Sequence, residues 1–131
     1  MNQEKTDTQE RVLLCVNALL QKKAKDIKIL KVKDVSSFTD YLVICTGGSD
    51  RQVEALAEAI REHMKKSGIM PLGVEGAKIG RWVLMDYVDV IVHIFYAPVR
   101  EFYDLERLWP DIPMMDVDVD LPELNALDPG M

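Results

Sequence analysis

With 131 residues, of which 48% are hydrophobic, the chain has the size and apolar content of one folded domain. No run of 18 apolar residues occurs and residues 1–9 are polar, so we expect no membrane span and no signal peptide, but a cytoplasmic protein. Six of the 22 acidic residues lie in 111–131, which has no Lys or Arg, and they account for the formal net charge of −6. The other 16 acidic residues balance the 16 basic residues of 1–110, which excludes a general nucleic-acid binder.

The first part of the chain predicts a helix followed by two strands. Val12 and Val16 share one face with other apolar residues at helical spacing, in a helix from about 8 to 23. A strand over 27–32 follows. Residues 40–46 are then almost continuously apolar, which is typical of a central strand covered on both faces.

A capping-box pattern predicts where the second helix begins. Ser49 is followed three residues later by Gln52, and the helix is expected over 50–66. We expect the next strand, over 71–75, to pair parallel to a neighbour, because a strand–helix–strand connection is a right-handed crossover. Pro71 at its start favours a place at or near the edge of the sheet.

Two more strands, a last helix and a tail complete the prediction. Residues 81–87 and 90–96 form a hairpin, and Pro98 opens the last helix. The fold class is therefore α/β, with a mixed five-stranded sheet flanked by helices. Residues 1–110 are expected to form the domain, and 111–131 an acidic, flexible tail.

The turn Gly47-Gly48-Ser49 follows a strand and precedes a helix, as phosphate-binding loops do. Both G-x-x-x-x-G-K-[ST] and G-x-G-x-x-G are missing, so we expect a tight turn with a Ser cap, and no cofactor. A nucleotidyltransferase would need two carboxylates near this turn to hold its metal ions. Asp86 and Asp89 flank a hairpin turn instead, and they leave a divergent nucleotidyltransferase as an alternative function.

The histidines and cysteines form no metal or catalytic pattern. His63 has no metal partner one helical turn later, and His93 is interpreted as a hydrogen-bonded structural residue. Cys15 and Cys45 lie in apolar segments and are expected to be buried free thiols. We therefore expect no metal site and no enzyme.

Trp82 is the candidate binding residue. It begins a predicted strand after a Gly-rich loop, and strand alternation puts it on one face with Leu84 and Asp86. Two interpretations stay open. Trp82 is either a core residue or an anchor that contacts a partner, since Trp is enriched among binding hot spots.

Several separated segments, in the same order, resemble the Iojap-related ribosome silencing factors, the RsfS family. Among them is Ser-Phe-Thr-Asp-Tyr-Leu-Val-Ile-Cys-Thr-Gly, and another begins Trp-Val-Leu-Met-Asp-Tyr. The resemblance covers about residues 8 to 110. Its segments are 26–27, 36–47, 49–53, 71–76, 82–95 and 100–109.

The resemblance implies a nucleotidyltransferase-like topology without known catalysis, and a homodimer. It implies binding to the large ribosomal subunit through ribosomal protein L-fourteen, which blocks joining of the small subunit and represses translation when nutrients are scarce. The partner-binding residues that it implies are Trp82, Glu75, Asp86 and Asp89. An aromatic anchor with an acidic rim would complement a basic ribosomal protein. A large-subunit assembly factor that uses the same contact is a second alternative.

Six lysines between residues 22 and 33 form the only basic cluster in the sequence. They are interpreted either as a solvated surface or as a peripheral contact with ribosomal RNA, whose phosphates attract clustered lysines. The test for the RNA contact is whether Lys28→Glu weakens salt-dependent ribosome binding.

Overall fold

In the computed structural model, which describes residues 3–77 and 80–117, the chain forms three α-helices, one 3₁₀ helix and six strands. The helices are α1 (Gln3–Gln21), α2 (Asp50–Lys66) and α3 (Ala97–Tyr103), with the 3₁₀ helix at Leu105–Leu108. The strands are β1 (Lys25–Lys31), β2 (Tyr41–Gly47), β3 (Gly73–Glu75), β4 (Trp82–Asp86), β5 (Val90–Tyr96) and β6 (Met114–Asp116).

The six strands form one mixed sheet in the order β3-β4-β5-β2-β1-β6. Strands β2 and β5 are parallel over seven residue pairs, and the other neighbours are antiparallel. The expected α/β class is confirmed, and β3 lies at an edge as predicted. The expectation that this strand pairs parallel to a neighbour is wrong, because β3 pairs antiparallel with β4. The crossover that begins with α2 is completed by β5, the fifth strand along the chain.

The expectation of five strands is also wrong, because β6 adds a sixth at the edge beside β1. It lies within the segment that the sequence assigned to the tail. Lys28 is opposite Asp116 in the register, and their side chains form an ion pair. The backbone N–H of Val117 donates to the carbonyl of Ile27 at 3.1 Å. The sheet therefore extends into the segment that was expected to be a tail, and residues 118–131 lie outside the described part of the chain.

Helices α1 and α2 cover one face of the sheet and form the larger core with it. The apolar face of α2 is buried in this core, and the strand over 41–47 is buried along its whole length. Cys15 and Cys45 are free and buried in this core, as expected, and burial raises the pKa of each thiol to about 12. None of the helices within residues 3–77 and 80–117 is long and apolar enough to cross a membrane.

The opposite face of the sheet is only partly covered. Residues 97–113, called here the 97–113 segment, pack over a second core cluster on strands β1, β2 and β5. The cluster's buried members are Leu30, Val32, Leu42, Ile44 and Phe95. The side chains that β4 directs to this face are only partly buried, so residues 3–77 and 80–117 leave the sheet open to solvent toward its β3–β4 edge.

Candidate partner-binding face

Strand β4 alternates between the core and the uncovered side of the sheet. Val83 and Met85 are buried in the larger core, whereas Trp82, Leu84 and Asp86 are half-buried on the opposite face. This is the period-two alternation of a strand with one packed face, and the predicted face of Trp82 is confirmed.

The register of β4 with its neighbours brings acidic and apolar side chains to the same face. Glu75 of β3 is opposite Leu84, and Ile91 of β5 is opposite Asp86. Directly opposed residues of paired strands lie on one face of a sheet. We therefore call Glu75, Trp82, Leu84, Asp86 and Ile91 the open face. It contains three of the four residues that the resemblance implies.

Asp89, the fourth residue, is directed to helix α1 instead. Its carboxylate accepts hydrogen bonds from Thr8 and Arg11, each at 2.5 Å. Arg11 also donates to the carbonyl of Tyr87 at 3.4 Å. Asp89 thus links the β4–β5 turn to α1 through hydrogen bonds within the chain. These bonds account for its position, and no contact with a binding partner is needed to explain it.

The side chain of Trp82 packs on other rings of the same side of the sheet, and two of these, Phe95 and His93, are buried. Its indole ring contacts the rings of Phe95 and Tyr103, each with a centroid distance of 4.8 Å. The indole N–H donates to Nδ1 of His93 at 3.1 Å. His93 is 7% exposed, and burial lowers its pKa to about 4, so it is neutral at pH 7. The expectation of a hydrogen-bonded structural histidine is confirmed.

Two aromatic residues beside the open face were missed by the sequence reasoning. Tyr103 is 54% exposed although it contacts Trp82, and its ring meets that of Phe102 edge-on at 5.1 Å. Phe102 is itself 81% exposed. Exposed aromatic side chains in contact with one another are typical of binding surfaces. Phe102 and Tyr103 are 20 and 21 positions from Trp82 in the sequence, so spacing alone gave no signal for this contact.

Arg100 holds the 97–113 segment, and with it Tyr103, against the sheet. Its guanidinium donates to the carbonyl of Asp26 at 2.5 Å and to the hydroxyl of Thr46 at 2.7 Å. It also forms an ion pair with Glu106 at 3.0 Å. These bonds join three parts of the chain. The position of Phe102 and Tyr103 beside the open face therefore depends on the contacts of Arg100, which lie outside that face.

The parts of the nucleotidyltransferase hypothesis lie at opposite ends of the sheet. The Gly48-Ser49 turn follows the end of β2, whereas Asp86 and Asp89 flank the turn that precedes β5. The paired strands β2 and β5 span seven residues, which separates the two ends by roughly 20 Å. The turn's polar groups serve the predicted capping box: Gln52 N–H donates to Ser49 Oγ at 3.1 Å, and Gly48 N–H donates to Gln52 Oε1 at 2.6 Å. Within residues 3–77 and 80–117, no three His, Cys, Asp or Glu residues are grouped to hold a metal ion.

The six lysines of the cluster differ in their exposure and contacts. Lys28 is on the same side of the sheet as Leu30, and it is engaged by Asp116. Lys22, Lys23 and Lys25 are exposed around the turn between α1 and β1. Lys28 is therefore a poor choice for testing an RNA contact. The turn lysines are accessible, as are Lys31 and Lys33.

Comparison with known proteins gives a consistent result over nearly the whole chain. The model of a family described as "Ribosomal silencing factor during starvation" matches residues 5–129, beyond the end at 110 that the sequence motifs indicated. A Bacillus subtilis protein named ribosomal silencing factor RsfS is 43% identical over 97 residues, which are 74% of this chain and 82% of that protein. A Mus musculus protein named "Mitochondrial assembly of ribosomal large subunit protein 1" is 30% identical over 99 residues, covering 73% of this chain and 43% of its own length. The crystal structure of protein CV0518 from Chromobacterium violaceum superposes with a TM-score of 0.76 at 40% identity, and covers 78% of this chain and 85% of that one.

Proposed function

The chain belongs to the ribosomal silencing factor family, and from this premise we propose that it binds the large ribosomal subunit and represses translation when nutrients are scarce. The proposed contact is ribosomal protein L-fourteen, and the proposed effect is that the bound protein prevents the small subunit from joining. This is a non-catalytic role, because a body bound on the joining surface acts by its volume alone.

The observation that supports this proposal most directly is the composition of the open face. It combines the half-buried ring of Trp82 with the carboxylates of Glu75 and Asp86 on one side of the sheet. A ribosomal protein that also meets RNA is basic, so an acidic surface attracts it and an aromatic ring supplies apolar contact area. Asp89 is not included in this surface, since its carboxylate is engaged by α1.

The proposal is tested by reversing one charge on the open face. Glu75 is exposed and lies outside the two core clusters, so Glu75→Lys should leave the fold intact. The matched control is Glu58→Lys on α2, which is also exposed and changes the net charge equally. We expect Glu75→Lys to weaken co-sedimentation with purified large subunits by about tenfold at low salt, and Glu58→Lys to change it little.

A second substitution tests the aromatic anchor. Trp82→Ala, checked by circular dichroism to be folded, should lose co-sedimentation with large subunits. Wild-type binding by both Trp82→Ala and Glu75→Lys would show that the open face is not the docking surface. Failure of the wild-type protein to bind large subunits would refute the function itself.

A role in assembly of the large subunit is the second candidate. It is favoured by the Mus musculus relative, whose name describes assembly of the mitochondrial large subunit. The same open face would serve both roles, because docking on a large subunit is common to them. Accumulation of precursor particles after deletion of the gene would indicate assembly, whereas normal particles with increased subunit joining would indicate silencing.

We propose two further properties that rest on the family. The protein is expected to act in the cytoplasm and to form a homodimer. Light scattering of the purified chain would measure its oligomeric state. A peripheral contact with ribosomal RNA would use the exposed lysines of the α1–β1 turn. The double substitution Lys22→Glu, Lys23→Glu should then reduce the salt dependence of large-subunit binding, and an unchanged salt dependence would exclude the contact.

A further inference from the structure

We propose that His93 is a positioning residue for the open face: it holds the indole of Trp82 in the orientation that the partner meets. The inference rests on the proposed docking role of Trp82. It concerns a residue that has almost no surface of its own to offer a partner, since His93 is 7% exposed.

The location of His93 suits this role. It lies in β5 on the same side of the sheet as Trp82, opposite Leu84 of β4 and Ile44 of β2. Its ring is nearly parallel to that of Phe95, at an interplanar angle of 12° and a centroid distance of 6.1 Å. Strands on both sides and the neighbouring ring therefore hold the imidazole in place, so it provides a fixed point for the residue above it.

The hydrogen bond between the two rings has one possible direction. An indole nitrogen can only donate, so Nδ1 of His93 is the acceptor of the 3.1 Å bond from Trp82, and the imidazole proton is on Nε2. The indole N–H is partly buried by its neighbours, and a buried donor without an acceptor is unfavourable. An imidazole that accepts at Nδ1 therefore favours the one rotamer of Trp82 in which this bond forms.

The other contacts of Trp82 are less directional. Its ring is tilted by 33° from that of Phe95 and by 49° from that of Tyr103, and both are apolar contacts between ring surfaces. Contacts between rings occur over a range of distances and angles, whereas a hydrogen bond requires the indole N–H to point at its acceptor. A ring that is already oriented loses less conformational freedom when a partner binds, and the affinity is higher for that reason.

Two substitutions of His93 separate positioning from packing. Asparagine places a carbonyl oxygen where Nδ1 lies, and leucine has nearly the same branched shape without an acceptor. Both remove the ring, so any loss of packing is shared by the two variants. The difference between His93→Asn and His93→Leu then measures the effect of the acceptor.

The experiment combines a spectroscopic measurement with a binding measurement on the full-length protein. Hydrogen exchange of the Trp82 indole N–H, followed by ¹⁵N NMR, reports the hydrogen bond without any ribosome. Co-sedimentation with purified large subunits reports docking. We expect His93→Leu to accelerate indole exchange and to weaken large-subunit binding by about tenfold, and His93→Asn to restore both toward wild type.

Each remaining outcome contradicts a different statement. Equal binding by the leucine and asparagine variants, with indole exchange accelerated only in the leucine variant, would show that the hydrogen bond does not affect docking. Equal indole exchange in the two variants would show that His93 does not hold the indole. Failure of the wild-type protein to bind large subunits would refute the proposed function. Wild-type binding by Trp82→Ala would refute the docking role of Trp82. Either result would also refute the role of His93 in docking.

Discussion

Acidification should destabilise the protein through His93, and the size of the effect follows from its burial. The pKa of His93 is lowered from 6.5 to about 4 because the side chain is taken out of water. The unfolded chain therefore binds a proton more readily than the folded one. The stabilising contribution of the neutral side chain is complete above pH 6.5, decreases as the pH falls, and is lost by about pH 4.

The shift corresponds to roughly 3 kcal/mol in total, of which about 2 kcal/mol is lost between pH 7 and pH 5. The pH dependence of wild-type stability does not by itself isolate the histidine, so a variant without this ionisable side chain is needed. His93→Asn lacks the titrating group and keeps an acceptor for Trp82.

Urea unfolding at several pH values between 7.5 and 5 measures the free energy of unfolding for both proteins. We expect the wild-type value to fall by about 2 kcal/mol more than that of His93→Asn between pH 7 and pH 5. Parallel pH dependences for the two proteins would mean that His93 is protonated as easily in the folded state as in the unfolded one, and the account of its burial would be wrong.

Two further predictions concern the ends of β4. Asp89→Ala should lower the free energy of unfolding by about 1.5–3 kcal/mol, because Arg11 loses its charged acceptor, while the folded variant still binds large subunits; a normal melting temperature with lost binding would contradict this. Gly68→Ala should lower the free energy of unfolding by about 1 kcal/mol, because the position has a positive φ. Gly76→Ala should lower it by roughly twice as much. A Cβ at Gly76 would be 2.0 Å from the carbonyl oxygen of Trp82, whereas one at Gly68 meets nothing within 4 Å, so equal melting temperatures would refute the clash.

Local patterns predicted most of the elements, since their causes are local. The strand Val90–Tyr96 and the helix Asp50–Lys66 have the predicted bounds. The apolar run that became β2 and the capping box at Ser49 are signals that neighbouring residues produce by themselves. The face of Trp82 also followed from alternation alone.

What the sequence could not predict depends on residues far apart in the chain. Strand β6 has few residues and is flanked by acidic residues and prolines. It pairs with β1, where Lys28, 88 residues away in the chain, donates a hydrogen bond to the carboxylate of Asp116. The family resemblance assigned Asp89 to a binding surface, and the sequence could not show its contacts with α1, because they span 78 and 81 residues. The backbone conformation of the hairpin turn was not predictable from its residues either. Val88 adopts a positive φ of 75°, which β-branched residues rarely take.

The parallel pairing of β2 with β5 also determines when the open face can exist during synthesis. Paired residues of the two strands, such as Tyr41 and Val90, are 49 positions apart in the sequence, so loop closure over α2, β3 and β4 must precede their pairing. Until then β2 has only β1 as a neighbour, and its other edge is exposed. An apolar strand with an open edge is the kind of segment that aggregates. Substitutions in β5 that slow this pairing should therefore lower the soluble yield of the protein even when the free energy of unfolding of the purified product is unchanged.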